Sequence, residues 1–118
     1  MSVDLLGISF DAHDPRQLAQ FWAQTLHRSV ADDATDQFSA IPADDDPAHG
    51  PLLMFHQVPE GRTVKNRVHL DLKAVDVHAE AGRLTRLGAQ QVRSLGQNND
   101  RWISFTDPEG NEFDLVAG

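Results

Sequence analysis

The chain has 118 residues, the size of one ordinary domain, and an apolar fraction of 40% is enough for one core and argues against wholesale disorder. A formal net charge of −8 and a pI near 5.0 count against nucleic acid and anionic membrane as partners. The lack of cysteine excludes a disulfide framework and thiolate chemistry, and no window approaches the roughly 18 apolar residues of a membrane span, so a soluble, cytoplasmic protein without a signal peptide is the expectation.

Val3 to Phe10 reads as a strand, with Leu6, Ile8 and Phe10 on one face and Gly7, Ser9 and Asp11 on the other. His13-Asp14-Pro15 then starts a helix: the carboxylate caps free N–H groups, and proline fits the first turn. Leu18, Phe21, Trp22 and Leu26 form its apolar stripe. Residues 28–42 are expected to hold two short strands, and Asp44-Asp45-Asp46-Pro47 with His49-Gly50-Pro51 a solvated polar loop. Leu52 to Val58 is a further strand, and Pro59 to Arg62 a turn or linker.

The pattern then restarts. Arg67 to Leu72 reads as a strand, with Val68, Leu70 and Leu72 opposite Arg67, His69 and Asp71. Asp76 caps a second helix with a Val77, Ala81, Leu84, Leu87 stripe, and Gly88 suits its C-terminus. Strands follow at Gln90 to Leu95 and Trp102 to Thr106. Asp107-Pro108-Glu109-Gly110 suits a type I turn into a last strand that alternates Glu112 and Asp114 with Phe113 and Leu115. The capping aspartates Asp14 and Asp76 lie 62 residues apart, and Gly7 and His69 share that offset, so the chain reads as an internal repeat.

Each helix must bury its stripe against a sheet, and the period of two fixes what the opposite sheet faces carry. Those faces hold Gly7, Ser9, Asp11, Met54, His56, Arg67, His69, Asp71, Trp102, Ser104, Glu112 and Asp114. Ionisable groups mixed with a tryptophan and a methionine suit a small-molecule site better than plain solvent. A histidine beside a carboxylate, as His69 beside Asp114 or Asp71, can move a proton near neutral pH or form a structural hydrogen bond. Arg67 offers a fork to an anionic ligand or an ion pair to Asp71 or Glu112, and Trp102 offers a stacking platform or simple packing.

The ordered set Phe10-Asp11-Ala12-His13-Asp14-Pro15, Phe21-Trp22, Phe55-His56-Gln57-Val58-Pro59-Glu60, Asn66-Arg67-Val68-His69-Leu70-Asp71-Leu72, Leu87-Gly88-Ala89 and Asp107-Pro108-Glu109-Gly110-Asn111-Glu112-Phe113 resembles the vicinal oxygen chelate superfamily, in particular its compact glyoxalase-like domains. The resemblance implies an α+β fold of two βαβββ modules, about 1–60 and 64–118, forming one domain with an open, barrel-like sheet around a cleft. It implies a site on His69 and Asp114 as catalytic residues, with Arg67, Trp102, Ser9, Met54 and Glu112 around the substrate. His56, His69 and Asp114 would be the metal ligands, with either Met54 or His56 at the last-strand position of module one.

Such a set suits Fe(II), Mn(II), Ni(II) or Zn(II). Gly7, which cannot ligate, stands at a family ligand position, and this weights the expectation toward a metal-free pocket. The implied function is binding of a small organic molecule, with lyase, isomerase or dioxygenase chemistry. The alternative is non-catalytic sequestration, as in drug-resistance relatives, and a homodimer is implied in either case.

Overall fold

The structure, a computed structural model, describes residues 2–95 and 102–118. It is mixed α+β, with two helices and two small sheets, and divides into two compact units, Met1–Gly61 and Arg62–Gly118. Among the described residues no helix is long and apolar enough to cross a membrane.

In the first unit, β1 (Gly7–Ala12) leads into α1 (Pro15–Leu26), followed by β2 (Phe38–Ile41) and β3 (Leu52–Gln57). The sheet order is β1-β3-β2, with β1 parallel and β2 antiparallel to β3. Asp14 caps α1 as its sequence predicts, its carboxylate accepting the Gln17 N–H at 3.2 Å with Pro15 in the first turn. The stripe Leu18, Phe21 and Trp22 is buried against the sheet, where the Phe10 ring lies 5.6 Å from Trp22 and 5.1 Å from Phe55. Each large apolar side chain removed from water in this way contributes about 1.5–3 kcal/mol.

Two expectations are corrected here. The first strand begins at Gly7, and Leu6 is 75% exposed rather than part of the core. Residues 28–42 hold one strand, not two: Ala31 donates a single backbone hydrogen bond to Ala40, and Thr35 turns the chain by donating to Phe38, so Asp32 and Asp33 sit in a turn. The polar loop after β2 is organised rather than merely solvated. The Arg28 guanidinium donates to the carbonyls of Ile41 (3.1 Å), Pro42 (2.9 Å), His49 (3.1 Å) and Pro51 (2.8 Å), fixing both ends of the loop to the exit of α1. Within it, Asp44 meets His49 Nδ1 at 2.7 Å, and Asp46 Oδ1 caps the short 3-10 turn Pro47–His49.

The second unit contains β4 (Leu70–Ala74), α2 (Val77–Leu87), β5 (Gln90–Leu95), β6 (Trp102–Thr106) and β7 (Glu112–Ala117). The order is β4-β7-β6-β5, with β4 parallel to β7 and the other pairs antiparallel. Asp76 caps α2 through the Ala79 N–H, and Gly88, at φ 121°, ends it. Val77, Ala81 and Leu84 are buried against the sheet face that carries Ile103, Phe105, Phe113 and Leu115. Val68 lies ahead of the strand and is 78% exposed, against the expectation that placed it with Leu70 and Leu72. The turn before β7 forms as its residues dictate. The Asp107 carboxylate accepts the N–H groups of Glu109 (2.9 Å) and Asn111 (3.0 Å), and Gly110 takes φ 87°.

Candidate ligand site on the second sheet

Strand parity holds in both units. In the second, the register Asp71↔Asp114↔Ser104 brings one residue from each of β4, β7 and β6 onto the face away from α2. His69, in the extended segment just ahead of β4, turns its ring to the same place. His69 Nδ1 lies 3.1 Å from Asp71 Oδ1 and 3.9 Å from Asp114 Oδ2. The Ser104 hydroxyl donates to Asp114 Oδ1 at 2.7 Å, which orients the carboxylate and leaves Oδ2 toward the histidine. Asp114 is buried at 8% exposure, whereas His69 and Asp71 are exposed, so the group is anchored at its base and open at its top.

These three side chains offer donor atoms that all lie within 4.8 Å of one another, the one such group of three among the described residues. Two donors about 2.0–2.2 Å from one cation lie at most about 4.4 Å apart, which the His69–Asp71 (3.1 Å) and His69–Asp114 (3.9 Å) separations meet, and one imidazole with two carboxylates suits Mn(II), Fe(II) or Zn(II). The residues therefore fit a divalent metal, with Ser104 as the outer partner that fixes a ligating carboxylate.

Glu112, on the same face of β7, takes the Arg62 guanidinium at 3.2 Å through Oε1. The expected ion pair of Arg67 with Asp71 or Glu112 does not form: Arg67 is exposed, Asp71 is taken by His69 and Glu112 by Arg62. Arg62, read from sequence only as part of a turn, is thus the basic residue at this face. Among the described residues, two buried acceptors have no hydrogen-bond partner: Glu112 Oε2 on this face and Asn66 Oδ1, whose amide nitrogen donates to Asn111 in the turn before β7. Trp102 opens the β6 edge at 42% exposure, opposite Val116.

The remaining sequence candidates belong to the first unit. Ser9 is paired with Met54, and His56 with Asp11 and Phe38, on the sheet face away from α1. The His56 ring lies 5.0 Å from Phe38. Aligning the two capping aspartates resolves the register left open by the sequence. Ser9 then corresponds to Asp71, and their parallel partners are Met54 and Asp114, so Met54, not His56, stands at the position equivalent to Asp114. Gly7 corresponds to His69, and its glycine has a packing cause. A Cβ there would lie 2.5 Å from the Leu52 carbonyl oxygen, so β1 and β3 have closed over the space a ligand would need.

A family model for the glyoxalase-like domain matches residues 7–116. No curated protein matches the sequence significantly. Solved structures with the same fold include a glyoxalase/bleomycin resistance protein/dioxygenase family enzyme from Burkholderia phytofirmans, with a TM-score of 0.76 at 14% identity over 98% of both chains. They also include the fosfomycin resistance protein FosX from Mesorhizobium loti, with a TM-score of 0.74 at 18% identity over 100% of this chain and 94% of that one. A mutant of FosX from Listeria monocytogenes, complexed with Mn(II) and 1S,2S-dihydroxypropylphosphonic acid, gives a TM-score of 0.76 at 16% identity over 100% of this chain and 92% of that one.

Proposed function

The chain belongs to the glyoxalase-like domain family, and we propose that it binds a small, hydroxyl-bearing organic molecule at the polar face of its second sheet, with a divalent metal held by His69, Asp71 and Asp114. The observation that carries this reading is the convergence of one imidazole and two carboxylates, with Ser104 anchoring the buried carboxylate. The pairing of a metal with a small hydroxylated ligand in the Listeria FosX mutant is in keeping with it. The two unpartnered acceptors, Glu112 Oε2 and Asn66 Oδ1, call for a ligand with hydroxyl or amine donors. Arg62, beside Glu112, gives that end of the face a cation for an acidic group, and Trp102 gives an exposed ring for an apolar or planar one.

Held by His69, Asp71 and Asp114, a divalent ion would supply Lewis acidity to a substrate oxygen. The chain's own part is positioning and proton transfer. Asp114, held by Ser104, fixes the base of the site, and His69 and Asp71, 3.1 Å apart, would hold the ion; with no metal bound, the exposed His69 ring can instead accept or return a proton at a carbon or oxygen beside it. Lyase and isomerase reactions on small oxygenated substrates fall within this chemistry; a dioxygenase reaction would in addition require Fe(II) or Mn(II) as the ion and molecular oxygen as co-substrate. A second reading, sequestration without turnover, is favoured by Gly7 and Met54, because the first unit supplies no matching ligands. The apolar residues Leu5 and Leu6 ahead of β1, and Val64 and Val68 ahead of β4, are each at least 74% exposed and support a homodimer, which light scattering of the purified protein would test.

The test is a thermal-shift screen of hydroxylated organic acids with and without Mn(II), on the wild type and on His69→Ala. Metal-dependent stabilisation by one ligand class, absent in His69→Ala, supports the reading. A ligand that stabilises both proteins equally, with or without metal, overturns it. Recovery of a bound ligand unchanged separates sequestration from turnover.

A further inference from the structure

The opposite face of the second sheet carries a separate feature. Between α2 and the strands β5 and β6 lies a groove of about 530 Å3, lined by His78, Ala81, Gly82, Thr85, Arg86, Gln91 and Ile103. Residues 78, 82 and 86 follow one another at four-residue spacing, so they form a single stripe along the helix. The stripe has an imidazole at one end, a guanidinium at the other, and no side chain between them. Long side chains on a helix lean toward its N-terminus. Arg86 does so here: its guanidinium nitrogen would sit 3.4 Å from a Cβ at position 82, above the bare backbone of Gly82.

That separation is an ordinary contact, so an alanine would fit at position 82 without moving the backbone. A glycine inside a helix weakens it relative to alanine. No turn, positive φ or close approach accounts for Gly82, and its effect is to keep the space beneath Arg86 open. Arg86 is the basic residue in the last turn of α2, where the helix dipole favours it. In a chain of net charge −8, Arg86 has no ion pair among the described residues, whereas its neighbour Arg83 is paired with Glu80 at 2.6 Å. The Thr85 hydroxyl is already engaged by the Ala81 carbonyl at 2.9 Å. The polar group offered to an anion is the Arg86 fork, over an apolar floor of Ala81 and the buried Ile103. A guanidinium fork matches the two oxygens of a carboxylate, and the floor accepts an apolar body.

We propose that this groove is a second ligand site, distinct from the His69 face, that takes a small organic monocarboxylate with its acid group at Arg86 and its apolar part over Gly82 and Ile103. The experiment is a two-dimensional amide NMR titration of the full chain with sodium benzoate as probe, benzamide as the neutral control and inorganic phosphate as competitor. Benzoate is expected to give saturable millimolar shifts centred on residues 78–86 and Gln91. Benzamide and the variant Arg86→Met are each expected to bind roughly tenfold more weakly, the loss of one charge-assisted contact. Gly82→Ala is expected to raise Tm by a few degrees while weakening benzoate. Asp114→Asn is expected to leave benzoate binding unchanged. Shifts that fail to saturate, equal binding of benzamide, full binding by Arg86→Met or displacement by equimolar phosphate would each overturn the proposal.

Discussion

In the first unit the parallel pair β1 and β3 presents Gly7, Ser9 and Met54 on the face away from its helix; in the second, β4, β7 and the residue ahead of them present His69, Asp71 and Asp114 at the matching positions. The helix caps, the parallel pairing and the face parity are common to both. The two units therefore differ in three side chains placed on a shared backbone plan rather than in the plan itself. The difference also reaches the backbone, since at Gly7 the strands approach so closely that a side chain has no room.

The largest effect expected from breaking this contrast is at Gly7. Gly7→Ala should destabilise the protein by about 2–3 kcal/mol in urea unfolding, because the Leu52 carbonyl must move. His69→Ala, at an exposed position with the same place in the repeat, should stay within about 0.5 kcal/mol of wild type. Equal stability of the two variants would remove the packing explanation for Gly7.

Next in size is Ser104→Ala, which leaves Asp114 without its anchor and should cost roughly ten- to a hundredfold in metal affinity by calorimetry. An unchanged affinity would mean that the serine only packs.

A smaller gain is expected at the end of α1, where His27 holds φ 55° in the left-handed region that glycine occupies without strain and where α2 has Gly88. His27→Gly should raise stability by about 1 kcal/mol, read as a higher urea midpoint.

The smallest effect belongs to the exposed loop between β2 and β3 of the first unit. The hydrogen bond and charge of Asp44 raise the His49 pKa above its ordinary 6.5, and the His49 hydrogen bond lowers that of Asp44 below its ordinary 3.8. The histidine's contribution is full below pH 6.5 and fades as pH rises through its folded value; the aspartate's is present above 3.8 and fades as pH falls through its folded value. Tm measured against pH should show His49→Ala costing more near pH 5 than near pH 8, and a constant difference would contradict the pairing.

Much of this was legible in the sequence. Asp14, Asp76, Gly88 and the Asp107 turn are local devices, and local chemistry determines them. The family resemblance also put His69 and Asp114 together with His56; the His69 and Asp114 side chains lie 3.9 Å apart, while His56 is on the first unit's sheet, and their role in a site is a proposal. What escaped depends on distant partners. The starts of β1 and β4 are set by where β3 and β7 can pair, so Leu6 and Val68 fell outside strands whose alternation they continue. Arg28 reaches carbonyls up to 23 residues away, which no periodicity reveals. Arg62 rather than Arg67 meets Glu112 for the same reason. Asp71 was on the correct face by parity, but its closeness to both His69 and Asp114 follows only from the β4–β7 register.

Among the described residues, the second unit holds the three side chains proposed to take a metal, and the first unit has no matching set. Equilibrium dialysis against Mn(II) tests it most directly, with the wild type, Asp71→Asn, Asp114→Asn and His56→Ala in parallel. One ion per chain is expected in the wild type and in His56→Ala, and none in Asp71→Asn or Asp114→Asn. No stoichiometric ion in the wild type, or an ion lost with His56→Ala and kept with Asp71→Asn, would contradict it.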